Sequence, residues 1–274
     1  MANQTIAMGI EYQGAAYYGW QSQEPLDLPT VQSTLERAIS RVADEPIRVI
    51  CAGRTDRRVH GSGQVIHFQT LAVRDERAWL FGVNSALPRD IRVSWVAPVD
   101  ESFHARFSAT SRTYHYLLYN HPIRPALSHD QLAWECRPCD VALMQEGAKY
   151  LIGEHDFSAF RGSGCQAKSP VRCVRELTLW QDGEIICLKV QANAFLLHMV
   201  RNLAGTLIHV GRGMIAPEQV KVILNSRDRR EAGKTAPPGG LYLTAVSYPD
   251  EFSIPESPLP PLIHALERAN PNRR

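Results

Sequence analysis

The chain has 274 residues, of which 44% are hydrophobic and 21% are charged. This composition can bury a large core, and it excludes a chain that is disordered as a whole. The formal net charge is only +2, so a surface that binds nucleic acid must be a local concentration of Arg and Lys. No apolar run approaches the roughly 20 residues that span a bilayer, and the N-terminus lacks the pattern of a signal peptide. We therefore expect a cytoplasmic protein.

The first half of the chain alternates predicted strands with predicted helices. Strands are expected where apolar residues alternate, at residues 5–12, 47–51, 64–69 and 91–96. One helix should begin after Thr30, which is a good N-cap. A second helix should occupy residues 75–87 and end before Pro88. The order is βαββαβ, which is the ferredoxin-like arrangement.

The second half repeats this order with longer insertions. Strands are expected at residues 112–119, 174–180, 184–191 and 240–248. Helices are expected in three places: between an Asp140 cap and Gly153, at residues 195–210, and from Pro217 to about residue 225. The residues that follow are rich in proline and should form a surface tail.

These elements predict an α/β (α+β) fold made of two ferredoxin-like βαββαβ halves. The N-terminal half covers residues 1–104, the C-terminal half covers residues 105–250, and a Pro-rich surface tail covers residues 251–274. The halves should join edge to edge into one extended, mainly antiparallel sheet with helices on one side. Ligand sites favour such junctions, so we expect the active-site cleft between the halves.

The segment at residues 52–61 concentrates the polar chemistry of the first half. It lies between two predicted strands, contains Gly53 and Gly61, and holds three arginines with one aspartate, Asp56. Glycines let a backbone turn sharply, so the segment should be an exposed loop. A carboxylate among guanidinium groups should stay ionised and could attack carbon, take a proton or bind a metal. A lone Asp in such a loop is more often a turn former whose side chain bonds to its own backbone, so Asp56 is also consistent with that role.

The pattern Ala-Gly-Arg-Thr-Asp-x-x-Val-His-Gly at residues 52–61 resembles the active-site loop of the TruA family of tRNA pseudouridine synthases. Further blocks match in family order, at residues 17–21, 103–109, 193–202 and 240–243. The resemblance implies isomerisation of uridine to pseudouridine in the anticodon stem-loop of tRNA, at nucleotides thirty-eight to forty. The target base would be flipped out of its stack. The resemblance also implies a homodimer and a reaction that needs no cofactor and no metal.

The same resemblance implies roles for single residues. Asp56 would be the catalytic group, Arg201 its ion-pair partner, and Tyr114 the aromatic that stacks on the target uracil. Leu241 would form an apolar wall below the uracil, and Arg54 would hold the substrate strand and its flipped base. From the residues alone, Arg201 is also consistent with a solvated surface position, and Tyr114 and Leu241 with the core of a sheet.

Two further segments carry basic residues near aromatic ones and are expected to contact tRNA, because charge contacts and stacking suit RNA. They are Phe103, His104, Ala105, Arg106 and Phe107, and Gly164, Cys165, Gln166, Ala167 and Lys168.

Two other functions remain open. The family pattern has a small residue and then glycine where this chain has Arg57 and Arg58. If that glycine is needed at positive φ, Arg58 would be strained by about 1 kcal/mol or more. The alternative is therefore a tRNA-binding protein of the same fold with impaired or no catalysis. A metal-dependent hydrolase that uses Asp56, His60 and His67 is the other alternative.

The cysteines raise the question of a zinc site. Cys136 and Cys139 have the spacing of half such a site, and Cys165 with Cys173 could supply the rest. A closed zinc site usually shows a second tight pair, which this sequence lacks. Reduced thiols are the expectation.

Overall fold

The computed structural model describes residues 4–21 and 28–271 of the chain. Its Cα positions divide into two compact units, and each unit combines two separate stretches of sequence. Unit 1 comprises Met1–Thr110 and Tyr242–Pro260, and unit 2 comprises Ser111–Leu241 and Pro261–Arg274. Each unit therefore includes residues from the C-terminal part of the chain, and neither unit is one continuous stretch of sequence.

Ten strands and six α-helices lie in this described part. The chain begins with β1 (Gln4–Tyr12), α1 (Val31–Ala43), β2 (Ile50–Cys51), β3 (His60–Thr70), α2 (Glu76–Ala86) and β4 (Ile91–Val99). It continues with β5 (Ser111–Asn120), β6 (Ala133–Glu135), α3 (Val141–Ala148), β7 (Gly153–Asp156), β8 (Val171–Asp182) and β9 (Ile185–Ala192). It ends with α4 (Met199–Gly211), α5 (Gln219–Ser226), β10 (Leu241–Ser247) and α6 (Pro261–Arg268). The α/β class is confirmed.

Unit 1 is a sheet in which β1 is the central strand. β1 pairs antiparallel with β3 on one side and with β4 on the other. β2 adds to β3 with Ile50 opposite His67, and β10 runs parallel to β3 with Tyr242 opposite His60. The strand order β4-β1-β3-β2, together with two helices, is the ferredoxin-like arrangement predicted from βαββαβ.

The core of unit 1 lies between this sheet and its two helices. Alternate residues of β1 point to the same face of the sheet, and α1 and α2 cover that face. The buried cluster contains Ile6, Met8, Ile10, Leu35, Ile39 and Trp79. The predicted cap of α1 is confirmed: Thr30 Oγ1 accepts the Ser33 N–H at 3.2 Å, and Ser33 Oγ accepts the Thr30 N–H at 3.4 Å.

Unit 2 contains a second antiparallel series, in which β5 pairs with β9, β9 with β8, and β8 with β7. The short strand β6 runs parallel to β5. Asp140 caps α3 as predicted, because its carboxylate accepts the Ala142 N–H at 2.8 Å. The helical segment continues past α3 as a 3-10 turn at Lys149–Leu151 with Ile152 as its C-cap. Gly153 follows that C-cap with φ 110° and opens β7.

The residues predicted as a surface tail contain a helix, α6, that is partly buried. Ile263 and Leu266 are only 1% and 3% exposed. Trp180 Nε1 donates a hydrogen bond to the Leu266 carbonyl at 2.8 Å. One face of this helix is therefore buried while the other is exposed, and residues 272–274 of the predicted tail lie outside the described residues. None of the helices described has the length and apolar character that a membrane span requires.

Candidate active site

Asp56 lies in the loop that connects β2 to β3. The Val59 N–H donates to the Asp56 carbonyl at 3.2 Å, which closes a four-residue turn around Arg57 and Arg58. Arg58 adopts φ 66°. A turn with a positive φ at its third residue favours glycine, because a Cβ there costs about 1–2 kcal/mol. The strained backbone predicted for Arg58 is thus confirmed.

A second segment of unit 1, residues 14–20, packs against this turn. The Trp20 N–H donates to the Thr55 carbonyl at 3.0 Å, and the Arg58 N–H donates to the Tyr17 carbonyl at 3.4 Å. Gly19 has φ 99°, and a Cβ at this position would lie 2.9 Å from the Thr55 carbonyl oxygen. The close approach therefore requires glycine. Two sequence blocks far apart in the chain meet here.

Gln64 holds the start of the same loop. Its side-chain Nε2 donates to the Gly53 carbonyl at 2.6 Å, and its Oε1 accepts the Gly53 N–H at 3.3 Å. Gln64 is fully buried, so these two hydrogen bonds satisfy an amide that would be costly to bury unpaired. Sequence reasoning missed this residue. Its only signal was a polar side chain within the apolar strand.

The loop presents its charges unequally to solvent. Arg54, Arg57 and Arg58 are exposed, whereas Asp56 is half-buried. The loop therefore combines one half-buried carboxylate with three exposed guanidinium groups. Such an arrangement can attract a polyanion while holding a reactive carboxylate partly out of water.

The segment Phe103–Phe107 divides into buried and exposed residues. Phe103 and Ala105 are 2% and 0% exposed, so their side chains pack inside unit 1, and a contact of these two residues with tRNA stays a prediction. Arg106 is exposed and Phe107 is 75% exposed. The His104 ring stacks on Phe107 with centroids 4.3 Å apart. The surface offered to a ligand is therefore His104, Arg106 and Phe107.

In unit 2, Arg201 lies in the first turn of α4. Its Nε donates to the Ala236 carbonyl at 2.8 Å, and the Ala236 N–H donates back to the Arg201 carbonyl at 3.0 Å. Tyr114 of β5 is 8% exposed and meets Phe195 edge to face, with ring centroids 5.0 Å apart. Leu241 begins β10 and is 6% exposed. Tyr114 and Leu241 thus have the core positions that the residues alone suggested.

Asn202 fixes the segment that contacts Arg201. It is fully buried, its Nδ2 donates to the Phe160 carbonyl at 2.7 Å, and its Oδ1 accepts from Arg229 at 2.9 Å and from Thr235 at 2.7 Å. This network holds the segment before Ala236 on α4. Sequence reasoning missed Asn202 as well, although an amide within an apolar helix was a signal.

The loop at residues 164–168 takes its shape from internal hydrogen bonds. Gly164 has φ 79°, and the Arg161 guanidinium donates to the carbonyls of Cys165 and Ala167 at 2.5 and 2.9 Å. Burial acts to raise the pKa of the Cys165 thiol, but N–H groups and the Arg161 charge outweigh burial, so that pKa falls. Gly164, Gln166 and Lys168 are exposed, whereas Cys165 and Ala167 are half-buried.

Comparison with known proteins decides the family. A family model described as "tRNA pseudouridine synthase" matches residues 8–108 and 148–249. The chain belongs to this family. Relatives named tRNA pseudouridine synthase A match it closely. The protein of Coxiella burnetii is 52% identical over 93% of this chain and 97% of its own, that of Alcanivorax borkumensis is 51% identical over 94% and 96%, and that of Pseudomonas aeruginosa is 52% identical over 93% and 90%.

Among solved structures, a Cbf5-Nop10-Gar1 complex aligns with 87% of this chain and 58% of its own at 9% identity. Its TM-score of 0.34 is too low to add to the synthase assignment. The synthase family model covers Asp56, Arg54, Arg201 and Leu241, whereas Tyr114 lies between the two matched stretches. Asp56 and Arg201 belong to different units, and their ion pair stays a prediction.

The arrangement of side chains gives no support to the metal-dependent hydrolase or to the cysteine zinc site. Within residues 4–21 and 28–271, no group of three or more His, Cys, Asp or Glu side chains could hold a metal ion. His60 Nδ1 accepts the Gly14 N–H at 3.0 Å, and His67 Nδ1 accepts the Ala105 N–H at 3.2 Å. All six cysteines are unpaired thiols. Both histidines thus have structural partners within a synthase fold.

Proposed function

We propose that this protein isomerises uridine to pseudouridine in the anticodon stem-loop of tRNA, at nucleotides thirty-eight to forty, with Asp56 as its catalytic group. Membership of the synthase family carries the reaction class, which is an isomerisation in tRNA. The observation that best supports the role of Asp56 is its half-buried position in a loop that exposes Arg54, Arg57 and Arg58.

The chemistry is a rearrangement within one nucleoside. The target uracil is extruded from its stack at a cost of a few kcal/mol. Asp56 then acts as a nucleophile or as an acid and base on the nucleoside. The N-glycosidic bond breaks, the uracil turns, and C5 bonds to the ribose; C5 then loses a proton to solvent and N1 gains one from solvent. Atoms and electrons balance without an external oxidant, reductant or water.

The other site residues have supporting roles in this proposal. Arg201 pairs with the Asp56 carboxylate. Tyr114 stacks on the flipped uracil, and Leu241 closes the pocket below it. Arg54, which is exposed on the catalytic loop, holds the substrate strand. His104, Arg106 and Phe107, together with the loop at residues 164–168, bind the tRNA around the target.

An RNA-binding protein without catalysis is the weaker candidate. The relatives at 51–52% identity align over more than nine-tenths of this chain and carry the name of the enzyme. Arg57 and Arg58 alter the loop but leave its turn closed by the Asp56–Val59 hydrogen bond.

We further propose that the enzyme works in the cytoplasm as a homodimer. Sedimentation with and without tRNA tests the dimer.

Tritium release from tRNA labelled at C5 of uridine tests the function directly. The wild-type protein should release tritium from the anticodon stem-loop, because C5 loses its proton when it bonds to the ribose. Asp56→Asn keeps the size of the side chain but loses its charge and nucleophilicity. This variant should bind tRNA and release no tritium above background.

Asp182→Asn is the matched control, because Asp182 is an exposed carboxylate at the end of β8. It should behave as wild type. Product from a folded Asp56→Asn protein would refute the catalytic role of Asp56, and release confined to other tRNA regions would refute the assigned nucleotides.

A further inference from the structure

Arg57 and Tyr18 form a stacked pair beside the catalytic loop. The guanidinium carbon of Arg57 lies 4.3 Å from the centroid of the Tyr18 ring, well within the reach of about 6 Å at which a cation is attracted to an aromatic face. Arg57 is exposed and Tyr18 is half-buried. Nothing in the order of the sequence brings these two residues together.

The pair links the Asp56 turn to residues 14–20 through side chains. The main chains of the two segments are linked as well, because the Trp20 N–H donates to the Thr55 carbonyl at 3.0 Å. The second main-chain hydrogen bond, from the Arg58 N–H to the Tyr17 carbonyl, is 3.4 Å long, which is beyond the usual range. This longer contact lies at Arg58, where the backbone is also strained at φ 66°.

We propose that Arg57 and Tyr18 are a positioning pair for Asp56. Their stack holds the turn against residues 14–20 and offsets the strain at Arg58. Arg57 acts here through the conformation of the turn and not by contact with the reacting base. The proposal rests on the proposed function, because turnover is one of its two readouts.

The pair also explains the departure from the family pattern. A small residue followed by glycine adopts the same turn without strain, so it needs no stack to hold it. Here arginine replaces both residues. The first arginine stabilises the turn that the second one strains, so the two substitutions compensate each other.

A different role for Arg57 makes different predictions. If Arg57 contacts a phosphate, Arg57→Ala should raise KM and flatten the salt dependence of tRNA binding, and Tyr18 should be irrelevant. If the pair positions Asp56, Arg57→Ala and Tyr18→Leu should each lower kcat about two- to five-fold with KM unchanged. This is the factor by which the loss of one exposed cation–π contact should lower the ratio of correctly positioned to displaced Asp56 turns. The double variant should be no worse than either single one.

Two rescues sharpen the test. Tyr18→Phe keeps the aromatic face and should keep the wild-type kcat. Arg58→Gly, introduced into Arg57→Ala, removes the strain and should restore kcat, because the unstrained turn no longer needs the stack. A loss of kcat that Arg58→Gly does not restore would overturn the proposal, and so would a change confined to KM.

Hydrogen exchange supplies a readout that does not depend on activity. The Val59 and Trp20 amides, which donate to Asp56 and Thr55, should exchange about two- to five-fold faster in Arg57→Ala and Tyr18→Leu. They should exchange at the wild-type rate in Tyr18→Phe. Unchanged exchange in both disruptive variants would refute the pair. If the wild type forms no pseudouridine, the proposed function fails, while exchange still decides whether the stack holds the turn.

Discussion

His67 is a histidine whose surroundings oppose its charged form. It lies on β3, is 7% exposed, and meets the edge of Phe103 with ring centroids 5.8 Å apart. Burial, followed by the nearby His104, lowers its pKa from 6.5 to about 4. His67 therefore belongs to the support of residues 103–107, where its neutral Nδ1 accepts the Ala105 N–H.

This pKa predicts a pH dependence of stability. The unfolded chain binds a proton at His67 near pH 6.5, whereas the folded chain does so only near pH 4. Between these values the unfolded state holds more protons, so the free energy of unfolding should fall as pH falls, with a slope approaching about 1.4 kcal/mol per pH unit. Urea unfolding from pH 7 to pH 4.5 measures this slope. His67→Gln, which can still accept the Ala105 N–H, should flatten it.

His264→Gln is the control, because His264 is exposed on α6 and should not alter the slope. Equal slopes for wild type and His67→Gln would show that another group carries the pH dependence.

Arg201 is the residue whose replacement should separate catalysis from binding. Arg201→Met keeps much of the side-chain length but loses the charge that is proposed to pair with Asp56, so turnover should fall by roughly a hundredfold while tRNA affinity changes little. Single-turnover rates and filter binding measure the two effects. Arg268→Met, at an exposed position on α6, should behave as wild type. A normal rate for Arg201→Met would make Arg201 a structural residue bonded to Ala236.

Helix α6 is held on unit 2 by a buried polar contact as well as by Ile263 and Leu266. His115 Nε2 lies 2.7 Å from Glu267 Oε1, with side chains 2% and 10% exposed. Lys189 Nζ lies 4.0 Å from the same carboxylate oxygen. A buried hydrogen-bonded group is costly to leave without its partner. Helix α6 and the sheet of unit 2 should therefore unfold in a single cooperative step.

Glu267→Ala should lower the free energy of unfolding by about 2–3 kcal/mol, because it leaves His115 buried without its carboxylate partner. Glu256→Ala, at an exposed position in unit 1, should change stability by less than about 0.5 kcal/mol. Denaturant unfolding measures both. If Glu267→Ala is as mild as the control, the contact contributes nothing to the docking of α6.

Elements whose signals are local could be predicted from the sequence. Thr30 and Asp140 cap helices because a side-chain oxygen reaches backbone N–H groups two or three residues ahead, and this requires no distant partner. The short strands β6 and β7 were missed because only pairing with β5 and β8 makes them strands. Helix α6 was missed because its prolines suggest a surface segment, while its burial depends on residues such as Trp180, far earlier in the chain.

Within the candidate site, too, features that depend on neighbouring residues could be predicted, whereas features that depend on distant residues could not. The loop around Asp56 and the positive φ at Arg58 could be predicted, since both depend on neighbouring residues and on the turn they form. The roles of Gln64 and Asn202 could not, because their carbonyl and hydroxyl partners come from other segments. The sequence also could not show that Phe103 is buried and Phe107 exposed, because the two residues lie in the same short segment.

Unit 1 as a whole depends on two stretches that are far apart in the chain. Phe103 contacts Tyr248 and Phe252, with ring centroids 5.1 and 5.3 Å apart. The Tyr248 hydroxyl donates to the Ala105 carbonyl at 2.7 Å. These contacts bury the end of the first stretch beneath the second one. The first stretch alone should therefore leave apolar surface in water.

This dependence can be tested by rearranging the chain. Residues 1–110 alone should unfold without a cooperative transition and should bind a hydrophobic dye. The same residues joined through a flexible linker to residues 242–260 should regain a cooperative thermal transition. A scrambled version of 242–260 controls for the length of the chain. A cooperative transition of residues 1–110 alone would show that the second stretch is dispensable for unit 1.

During synthesis, β3 must wait for its partner strand β10, which leaves the ribosome much later. The ribosome must add all of residues 111–241 before Tyr242 can reach His60. At about 5–20 residues per second this takes on the order of ten seconds. For that interval the apolar surface around Phe103 is open to chaperones and to other nascent chains. Synonymous codons that slow translation of residues 111–241 would lengthen the exposure and lower the yield of folded protein without changing a single amino acid.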